Sequence, residues 1–397
     1  MGLKVVAILT LVLLLATGAL ASTETVLYNF TDGSDGGYPD DLGLLVRDSS
    51  GNLYGTTEYG GTCGYGTVFE LSSGGTEKAL YSFCDGTDGG FPLAGVALDP
   101  SGKIYGTTEI GGAGSCGIVF ELSGSTLTTL HAFTCGTDGG YPYAGVIRDK
   151  KGNLYGTAES GGVNGYGVAY EISSGTYSVI YNFCSVSGCT DGENPTSGLA
   201  MDKKGNLYGV TPKGGTSNYG TVFELSKSGS NWTETVLHSF AGGSSDGAYP
   251  YFGSLTLGTQ KIGKKQKSVI FGVTQQGGAS NVGTAFEMIK SNTGYMLSLL
   301  HSFTGSGDGS YPEGTLTYLG NKLFGTTNGG SSSDHGTVFE LTRKKKAWNH
   351  TVLYSFTGSS DGGYPYSGVV ADAGGNLYGV TEVGGSSGAG VVYKVKP

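Results

Sequence analysis

Four glutamates stand at equivalent places in a segment that recurs along the chain. Each follows a short run of the type Leu-Tyr-Gly-Thr-Thr, and they are Glu58, Glu109, Glu159 and Glu382. The other copies of the segment carry Pro212, Gln275 and Asn328 at this place. Carboxylates that converge on one site can accept hydrogen bonds from sugar hydroxyls or bind a cation. A pair of carboxylates about 5 to 9.5 Å apart can also hydrolyse a glycosidic bond.

Aromatic residues accompany these glutamates. They are Tyr59, Tyr65, Tyr141 and Tyr143. The face of a tyrosine ring stacks on a sugar ring, while a neighbouring carboxylate accepts its hydroxyl hydrogens. We therefore predict a ligand-binding arc made of the four glutamates and the four tyrosines. The alternative is that these residues form only a hydrated rim of loops.

The repeated segment occurs seven times. Its marker residue is Tyr54, Tyr105, Tyr155, Tyr208, Phe271, Phe324 or Tyr378, with spacings of 50 to 63 residues. Each period contains four short apolar runs, which in the second copy are 95–99, 103–108, 118–122 and 127–133. Glycines and Asp-x-x-Gly-Asn turns separate the runs, so the pattern predicts four consecutive antiparallel strands, named a to d.

A period of this length with four strands and no helical pattern after residue 21 is typical of a β-propeller. We predict an all-β fold with seven four-stranded antiparallel blades. The segment 25–30 resembles a strand d, whereas the chain ends in a strand c at 391–395. The N-terminal strand is therefore expected to complete the seventh blade and close the ring.

The N-terminal segment has the features of an export signal. Lys4 precedes an apolar run, and Ala19-Leu20-Ala21 matches a cleavage site. We expect residues 1–21 to be removed, residues 22–397 to form one propeller domain, and the product to be secreted or on the cell surface, with the periplasm as a further possibility. No later stretch is apolar over the roughly 20 residues that a membrane-spanning helix needs.

The seven copies, with their Gly-Asn-Leu-Tyr-Gly-Thr-Thr, Gly-Thr-Val-Phe-Glu-Leu and Leu-Tyr-Ser-Phe segments, resemble the Gloeo/Verruco (GloVer) tandem-repeat family of exported bacterial proteins. The resemblance spans essentially the whole chain after residue 21. It implies a propeller-like secreted or surface protein. Some family members carry a C-terminal sorting anchor. This chain ends Lys394-Val395-Lys396-Pro397 within its last predicted strand, so such an anchor is not expected.

In an up-and-down blade the b-to-c and d-to-a loops emerge on one face of the ring, here named the mouth face. The a-to-b and c-to-d turns emerge on the opposite face, here named the hairpin face. All six cysteines fall on the mouth face, and we predict the disulfides Cys63–Cys84, Cys116–Cys135 and Cys184–Cys189. A metal cluster is the alternative, but the sequence has no C-x-x-C motif.

The d-to-a loops carry Asp-Gly-Gly-aromatic-Pro or a variant of it. We interpret this motif as structural, with the aspartate closing a turn and the aromatic residue packing between blades. Asp32 with Asp35, and Asp85 with Asp88, weakly resemble calcium ligands, but the spacing of a calcium-binding loop is absent. We expect no cofactor, and calcium only as a weak possibility.

Basic residues are concentrated on the hairpin face of two adjacent blades. They are Lys261, Lys264, Lys265, Lys267, Arg343, Lys344, Lys345 and Lys346. Such a patch could bind an anionic surface, although solvated turns are the simpler interpretation. The net charge of −9 argues against nucleic acid as a partner.

The remaining motifs do not indicate an enzyme class. Three histidines, His131, His238 and His301, replace tyrosine in strand d, and His335 and His350 are expected to be isolated in loops. No nucleophile-elbow, P-loop or zinc-protease motif is present. The sequence thus predicts a non-catalytic binding scaffold for extracellular carbohydrate or protein. The alternatives are a glycan-active hydrolase or lyase that uses the acidic arc, and a structural cell-surface protein.

Overall fold

The computed structural model describes residues 22–39, 43–292, 294–345 and 347–397. The predicted export segment, residues 1–21, and the basic residue Lys346 lie outside the described residues.

The described chain folds into seven four-stranded antiparallel sheets that form the predicted seven-bladed propeller. In the order a to d, blade one consists of Val46–Arg47, Leu53–Thr57, Thr67–Leu71 and Glu77–Ser82; blade two of Ala97–Leu98, Ile104–Thr108, Ile118–Ser123 and Thr126–Ala132; blade three of Ile147–Arg148, Leu154–Ala158, Val168–Ser173 and Thr176–Asn182; and blade four of Ala200–Met201, Leu207–Thr211, Thr221–Ser228 and Asn231–Ser239. Blade five consists of Thr256–Ile262, Lys265–Thr274, Thr284–Ser291 and Gly294–Ser302; blade six of Thr317–Leu319, Lys322–Thr327, Thr337–Lys344 and Ala347–Ser355; and blade seven of Val370–Ala371, Leu377–Thr381, Val391–Lys396 and Thr23–Asn29. A two-stranded ribbon of Gly247–Ala248 with Gln276–Gly277 and a short 3-10 turn at Ser187–Cys189 complete the described structure.

The ring closes as predicted, through the N-terminal strand. Thr23–Asn29 pairs antiparallel with Val391–Lys396, from Thr23 opposite Lys396 to Asn29 opposite Val391. The first and last strands of the described chain therefore share one sheet, and blade seven has its full set of four strands.

The glycine of each strand b makes room for an aromatic side chain of strand c. In blade two Gly106 lies opposite Phe120, and a Cβ atom on Gly106 would come within 2.6 Å of the Phe120 ring. Phe120 is fully buried. The glycine of the repeated Tyr-Gly-Thr sequence therefore has a packing role, because only a residue without a side chain leaves room for the large ring on the neighbouring strand.

The aromatic residue of the d-to-a motif joins neighbouring blades through its backbone. Phe91 donates its N–H to the Tyr65 carbonyl of blade one (2.9 Å) and accepts the N–H of Glu109 in blade two (2.9 Å). Its φ of 54° lies in the left-handed region, which side chains larger than glycine rarely adopt. The equivalent Tyr38, Tyr141, Tyr249, Tyr311 and Tyr364 have the same conformation. The structural interpretation of this motif is confirmed, and the left-handed backbone is what lets one residue bond to two blades.

The aspartate of the same motif binds the aromatic or histidine residue of the preceding strand d. Asp88 accepts a hydrogen bond from the Tyr81 hydroxyl (3.1 Å), and Asp138 pairs with His131 Nε2 (3.1 Å). His238 and His301 pair with Asp246 and Asp308 in the same way. These histidines therefore conserve a hydrogen bond that tyrosine makes in other blades.

One sequence-based expectation about the histidines was wrong. His350 lies in strand d of blade six, not in a loop, and its ring stacks on His301 of blade five with centroids 4.2 Å apart. Burial lowers the pKa of His350 to about 4. The residue is thus a neutral packing partner between two blades.

Three disulfides tie loops together on the mouth face. They join Cys63 to Cys84, Cys116 to Cys135, and Cys184 to Cys189, the same pairs that the sequence predicts. Such bonds indicate an oxidising compartment. Among the described residues, no helix has the length and apolar character needed to cross a lipid bilayer.

Seven glycines, one from each blade, bring the innermost chain segments together around the propeller axis. They are Gly43, Gly95, Gly145, Gly198, Gly253, Gly314 and Gly368. A Cβ atom on Gly145 would lie 2.2 Å from the Gly95 carbonyl oxygen, and one on Gly314 would lie 2.4 Å from the Gly368 nitrogen. At Gly145 and Gly314 adjacent blades therefore meet backbone to backbone near the axis, which leaves no space for a Cβ atom there, whereas at Gly198 the nearest neighbour is the Ser254 hydroxyl.

We predict that Gly145→Ala destabilises the fold by about 1 to 3 kcal/mol, because the methyl group must displace the backbone of blade two. Urea unfolding monitored by circular dichroism measures this change. Gly74→Ala is the matched control, since its nearest neighbour is the Ser72 hydroxyl at 3.8 Å. It should change the free energy of unfolding by less than about 0.5 kcal/mol. Equal effects of both substitutions would contradict the close axial packing.

Three blade interfaces should make stability depend on pH. Burial, reinforced by the neighbouring aspartates Asp361, Asp35 and Asp191, raises the pKa values of Glu24, Glu77 and Glu234 to about 7. A raised carboxyl pKa means that the folded state binds more protons than the unfolded state between about pH 4.5 and pH 7. The contribution of these groups to stability therefore falls as pH rises through this window.

We predict that replacing the same three glutamates by glutamine raises the unfolding midpoint at pH 8, because glutamine avoids the cost of partly burying a charged carboxylate and removes its repulsion from the neighbouring aspartate. At pH 4 the variant and the parent should unfold at similar temperatures, which serves as the internal control. Differential scanning calorimetry from pH 4 to pH 8 measures the difference. A difference that is independent of pH would contradict the assignment.

Candidate functional site

The candidate site lies at the axial mouth, where the residues on the mouth face meet the central channel. Ala144 and Gly145 line a channel cavity of about 220 Å³. Tyr143 directly precedes them in the sequence, and its hydroxyl donates a hydrogen bond to Glu109 Oε1 (3.0 Å). This contact places a predicted tyrosine and a predicted glutamate together beside the channel.

The structure brings the four predicted glutamates into one electrostatically coupled group. Burial raises the pKa of Glu58, and the charges of Glu109 and Glu382 on either side raise it further. Burial also raises the pKa values of Glu159 and Glu382, with Glu109 contributing at Glu159. Each of the four glutamates is therefore close enough to at least one other for their charges to interact, as expected for residues of adjacent blades.

A lysine lies close to Glu159, at one end of this group of glutamates. Lys213 of blade four lowers the pKa of Glu159, although burial still dominates and the net shift is upward. Near the same end, Tyr143 has a raised pKa because of burial and because Glu109 and Glu159 are close to its hydroxyl. Tyr143 is thus held as a neutral hydrogen-bond donor between two carboxylates.

Tyr59 forms the wall of a groove beside Glu58. Its side chain is 40% exposed, and its ring packs edge-on against Tyr38 and Phe91 with centroid distances of 5.7 and 5.4 Å. A cavity of about 420 Å³ lies here, lined by Tyr59, Tyr38, Asp32 and glycine backbone. A side-chain hydrogen bond with Tyr59 also lowers the pKa of Glu58. Tyr59 therefore joins the groove to the acidic group.

The other two predicted tyrosines have different surroundings. The Tyr65 ring packs on Phe91 with centroids 5.3 Å apart. Tyr141 occupies the bridging place of the d-to-a motif and donates its N–H to the Cys116 carbonyl (2.9 Å). Both contacts belong to the packing between blades. Their role in ligand binding stays a prediction.

A fifth carboxylate, which the sequence analysis did not select, extends the acidic group around the mouth. Glu313 is 4% exposed, and burial raises its pKa to about 7. Its Oε1 accepts a hydrogen bond from Gln275, whereas its Oε2 is buried without a hydrogen-bond partner. Tyr251 links the two parts of the mouth, because both Glu313 and Glu159 contribute to its raised pKa.

A sequence signal for Glu313 does exist. Glu313 directly follows the proline of its d-to-a motif, as Tyr143 and Tyr251 follow theirs. We define the mouth group as the glutamates Glu58, Glu109, Glu159, Glu313 and Glu382 with the tyrosines Tyr59, Tyr143 and Tyr251. Chemically it offers carboxylate acceptors, phenolic donors and an aromatic face.

The described residues contain one compact set of potential metal ligands outside this group, Cys184, Cys189 and Glu193, whose ligand atoms lie within 4.8 Å of one another. Because the two cysteines are joined in a disulfide, they do not offer thiolates to a metal ion. The set does not fit a thiolate metal site.

Comparison with solved structures supports the propeller architecture. A putative 6-phosphogluconolactonase from Bacteroides uniformis superimposes with a TM-score of 0.51 at 13% identity, covering 83% of this chain and 88% of that chain. A sialidase from Trypanosoma rangeli in complex with the inhibitor DANA gives a TM-score of 0.43 at 11% identity, covering 83% of this chain and 59% of that chain. At 13% identity the first of these matches shows the fold alone.

No curated protein sequence matches this chain. The family model described as the Gloeobacter/Verrucomicrobia repeat matches residues 15–200 and 258–397. These two regions include most of the chain and carry six of the seven repeated segments, while the copy in blade four, residues 205–225, lies between them. The chain therefore belongs to the Gloeobacter/Verrucomicrobia repeat family.

Proposed function

We propose that this protein is an exported, non-catalytic binding propeller that holds a carbohydrate at the mouth group. Tyr59 carries the proposal. Its exposed ring lines a groove of about 420 Å³, and its hydrogen bond reaches Glu58, which lies between Glu109 and Glu382 in the carboxylate series. An aromatic wall beside a row of acceptors is the arrangement that sugar rings and their hydroxyls require.

The remaining mouth residues support a polyhydroxylated ligand. Tyr143 donates to Glu109, so the same tyrosine can exchange this bond for one with a ligand hydroxyl. Glu313 presents a buried carboxylate oxygen without a partner, and leaving such an atom unsatisfied costs about 1 to 3 kcal/mol. A bound hydroxyl group would recover that cost.

The proposed compartment agrees with the cysteine chemistry. Three disulfides persist best where the surroundings are oxidising. Export through the segment 1–21 and display outside the cytoplasm are parts of the same proposal, because an extracellular glycan must meet the mouth face of the folded chain.

A glycan-active hydrolase is the second candidate, and one observation favours it. Burial and the nearby charge of Glu109 raise the pKa of Glu58, and a carboxyl group with a raised pKa beside a second carboxyl group is an arrangement that general acid catalysis of glycoside hydrolysis uses. Hydrolysis releases new reducing ends, whereas binding alone leaves the glycan unchanged. An assay for reducing ends therefore distinguishes the two functions.

We predict that the protein retains oligosaccharides on a glycan array without changing them. Replacing Glu58, Glu109 and Glu382 by glutamine should weaken this binding at least about tenfold, since each lost charge-assisted hydrogen bond contributes roughly 1.5 to 3 kcal/mol. Binding to the array and the concentration of newly released reducing ends should be measured on the same samples.

Glu70→Gln with Glu121→Gln is the matched control, because both residues lie in the middle of strand c away from the mouth. This control should bind as the parent does. Release of reducing ends that disappears in Glu109→Gln would replace the binding proposal by the hydrolase. Full binding by the mouth variant, or no binding to any glycan by the parent, would contradict a carbohydrate site at the mouth.

A further inference from the structure

The hairpin face carries a cleft between blades five and six. Blade five begins with long strands, Thr256–Ile262 and Lys265–Thr274, whereas strand a of blades one to four has two residues. In blade six, strand c ends at Lys344 and strand d begins at Ala347, so these strands form a second long hairpin. The cavity between these hairpins has a volume of about 380 Å³.

Cations and neutral donors line this cleft. The residues that could contact a ligand are Lys261, Arg343, Lys345, Gln266, Asn321 and Tyr318. No carboxylate is among the described residues that line it. Lys264, Lys265 and Lys267 belong to the same hairpin of blade five but are not part of the lining, so only a subset of the basic residues faces the cavity.

A buried amide holds the arginine in place. Arg343 Nη1 donates to Oε1 of Gln260, which is 3% exposed. The Gln260 amide nitrogen in turn donates to Glu287 Oε2 (3.2 Å). Glu287 lies behind Gln260 and is itself buried. The guanidinium is therefore oriented by one of its donors, and the others stay available to a ligand.

The absence of carboxylates at this cleft follows from the repeat itself. Five blades open the a-to-b turn with an aspartate, namely Asp48, Asp99, Asp149, Asp202 and Asp372. The strand register puts Gly258 at this place in blade five and Leu319 in blade six. The two blades that form the cleft thus lack the acid that the others carry, in a chain whose net charge is −9.

We propose that this cleft binds a tetrahedral oxyanion, a sulfate or phosphate group. Three cations on two hairpins surround the cavity, Arg343 offers paired donors that match oxyanion oxygens, and the amides of Gln266 and Asn321 add neutral donors. The volume exceeds that of a single ion, so the group can be an ester on a larger molecule. This site is separate from the mouth group and lies on the opposite face of the ring.

The test is isothermal titration of the full chain with sodium sulfate and sodium phosphate, at ionic strength held constant with sodium chloride. Lys261→Gln with Lys345→Gln should weaken binding about tenfold, because two of the three cations are lost. Both side chains are exposed, so the fold should persist. Unfolding midpoints equal to that of the parent would confirm this.

The matched control is Lys150→Gln with Lys151→Gln, which removes the same charge from the exposed a-to-b turn of blade three on the same face. It should alter binding less than about twofold, since charges more than a Debye length of about 8 to 10 Å away are screened. Equal losses in the two variants would show a diffuse charge effect and overturn the site.

Two further probes separate the possible sources of the oxyanion. Retention of dextran sulfate, but not of dextran, assigns the site to a sulfated polymer. Flotation with phosphatidylglycerol vesicles, but not with phosphatidylcholine vesicles, assigns it to a lipid headgroup. Either result supports the cleft only if Lys261→Gln with Lys345→Gln abolishes it. If the parent binds none of the inorganic anions, the polymer or the vesicles, the proposal fails.

Discussion

The close approach of seven backbone segments around the axis is the constraint on which the structure depends. Gly145 and Gly314 lie against the backbone of a neighbouring blade, which leaves no space for a Cβ atom. Tyr143, Tyr251 and Glu313 each come one or two residues before such a glycine, so the packing of the axial segments fixes where these side chains lie. Packing at the axis thus decides which positions of the repeat can meet a ligand.

The repeat divides its residues between framework and surface. The left-handed aromatic residue, exemplified by Phe91, uses its backbone to join two blades, and the aspartate near it binds a side chain of the preceding strand. The residue after strand b is joined to the framework through its backbone, as the N–H of Glu109 shows, while its side chain bonds to other residues of the mouth, as Glu109 does to Tyr143. Blade four supports this division. In this blade the residue after strand b is Pro212, which has no N–H to donate. The d-to-a motif residue whose carbonyl accepts that N–H in other blades is aromatic there, but in blade four it is Asn194. Side chains at this place can therefore vary without loss of the fold.

Periodicity was enough to predict the seven blades, the closing strand and the disulfide pairs, because each depends on spacing and on which face a loop occupies. The extent of the domain, residues 22–397, stays a prediction. Spacing did not reveal Glu313, since its contact with Gln275 joins residues 38 positions apart through side-chain directions that no linear pattern contains. The stacking of His350 on His301 escaped prediction for the same reason. The cleft beside Arg343 could not be predicted either. It depends on the lengths of two hairpins and on hydrogen bonds of the buried Gln260 amide that the sequence does not reveal. Convergence between blades was thus predictable for equivalent positions of the repeat, such as the four glutamates, but not for contacts between different positions, such as Gln275 with Glu313.

The two faces of the ring have opposite chemistry, with carboxylates and tyrosines at the mouth and cations in the cleft between blades five and six. In the proposed function, the variable positions at the mouth bind the ligand. The most direct measurement is a crystal structure of residues 22–397 soaked with a mixture of neutral oligosaccharides. The account predicts electron density for a sugar ring against Tyr59, with its hydroxyls toward Glu58 and Glu109. Sugar density confined to other surfaces, with the mouth unchanged at the same ligand concentration, would contradict it.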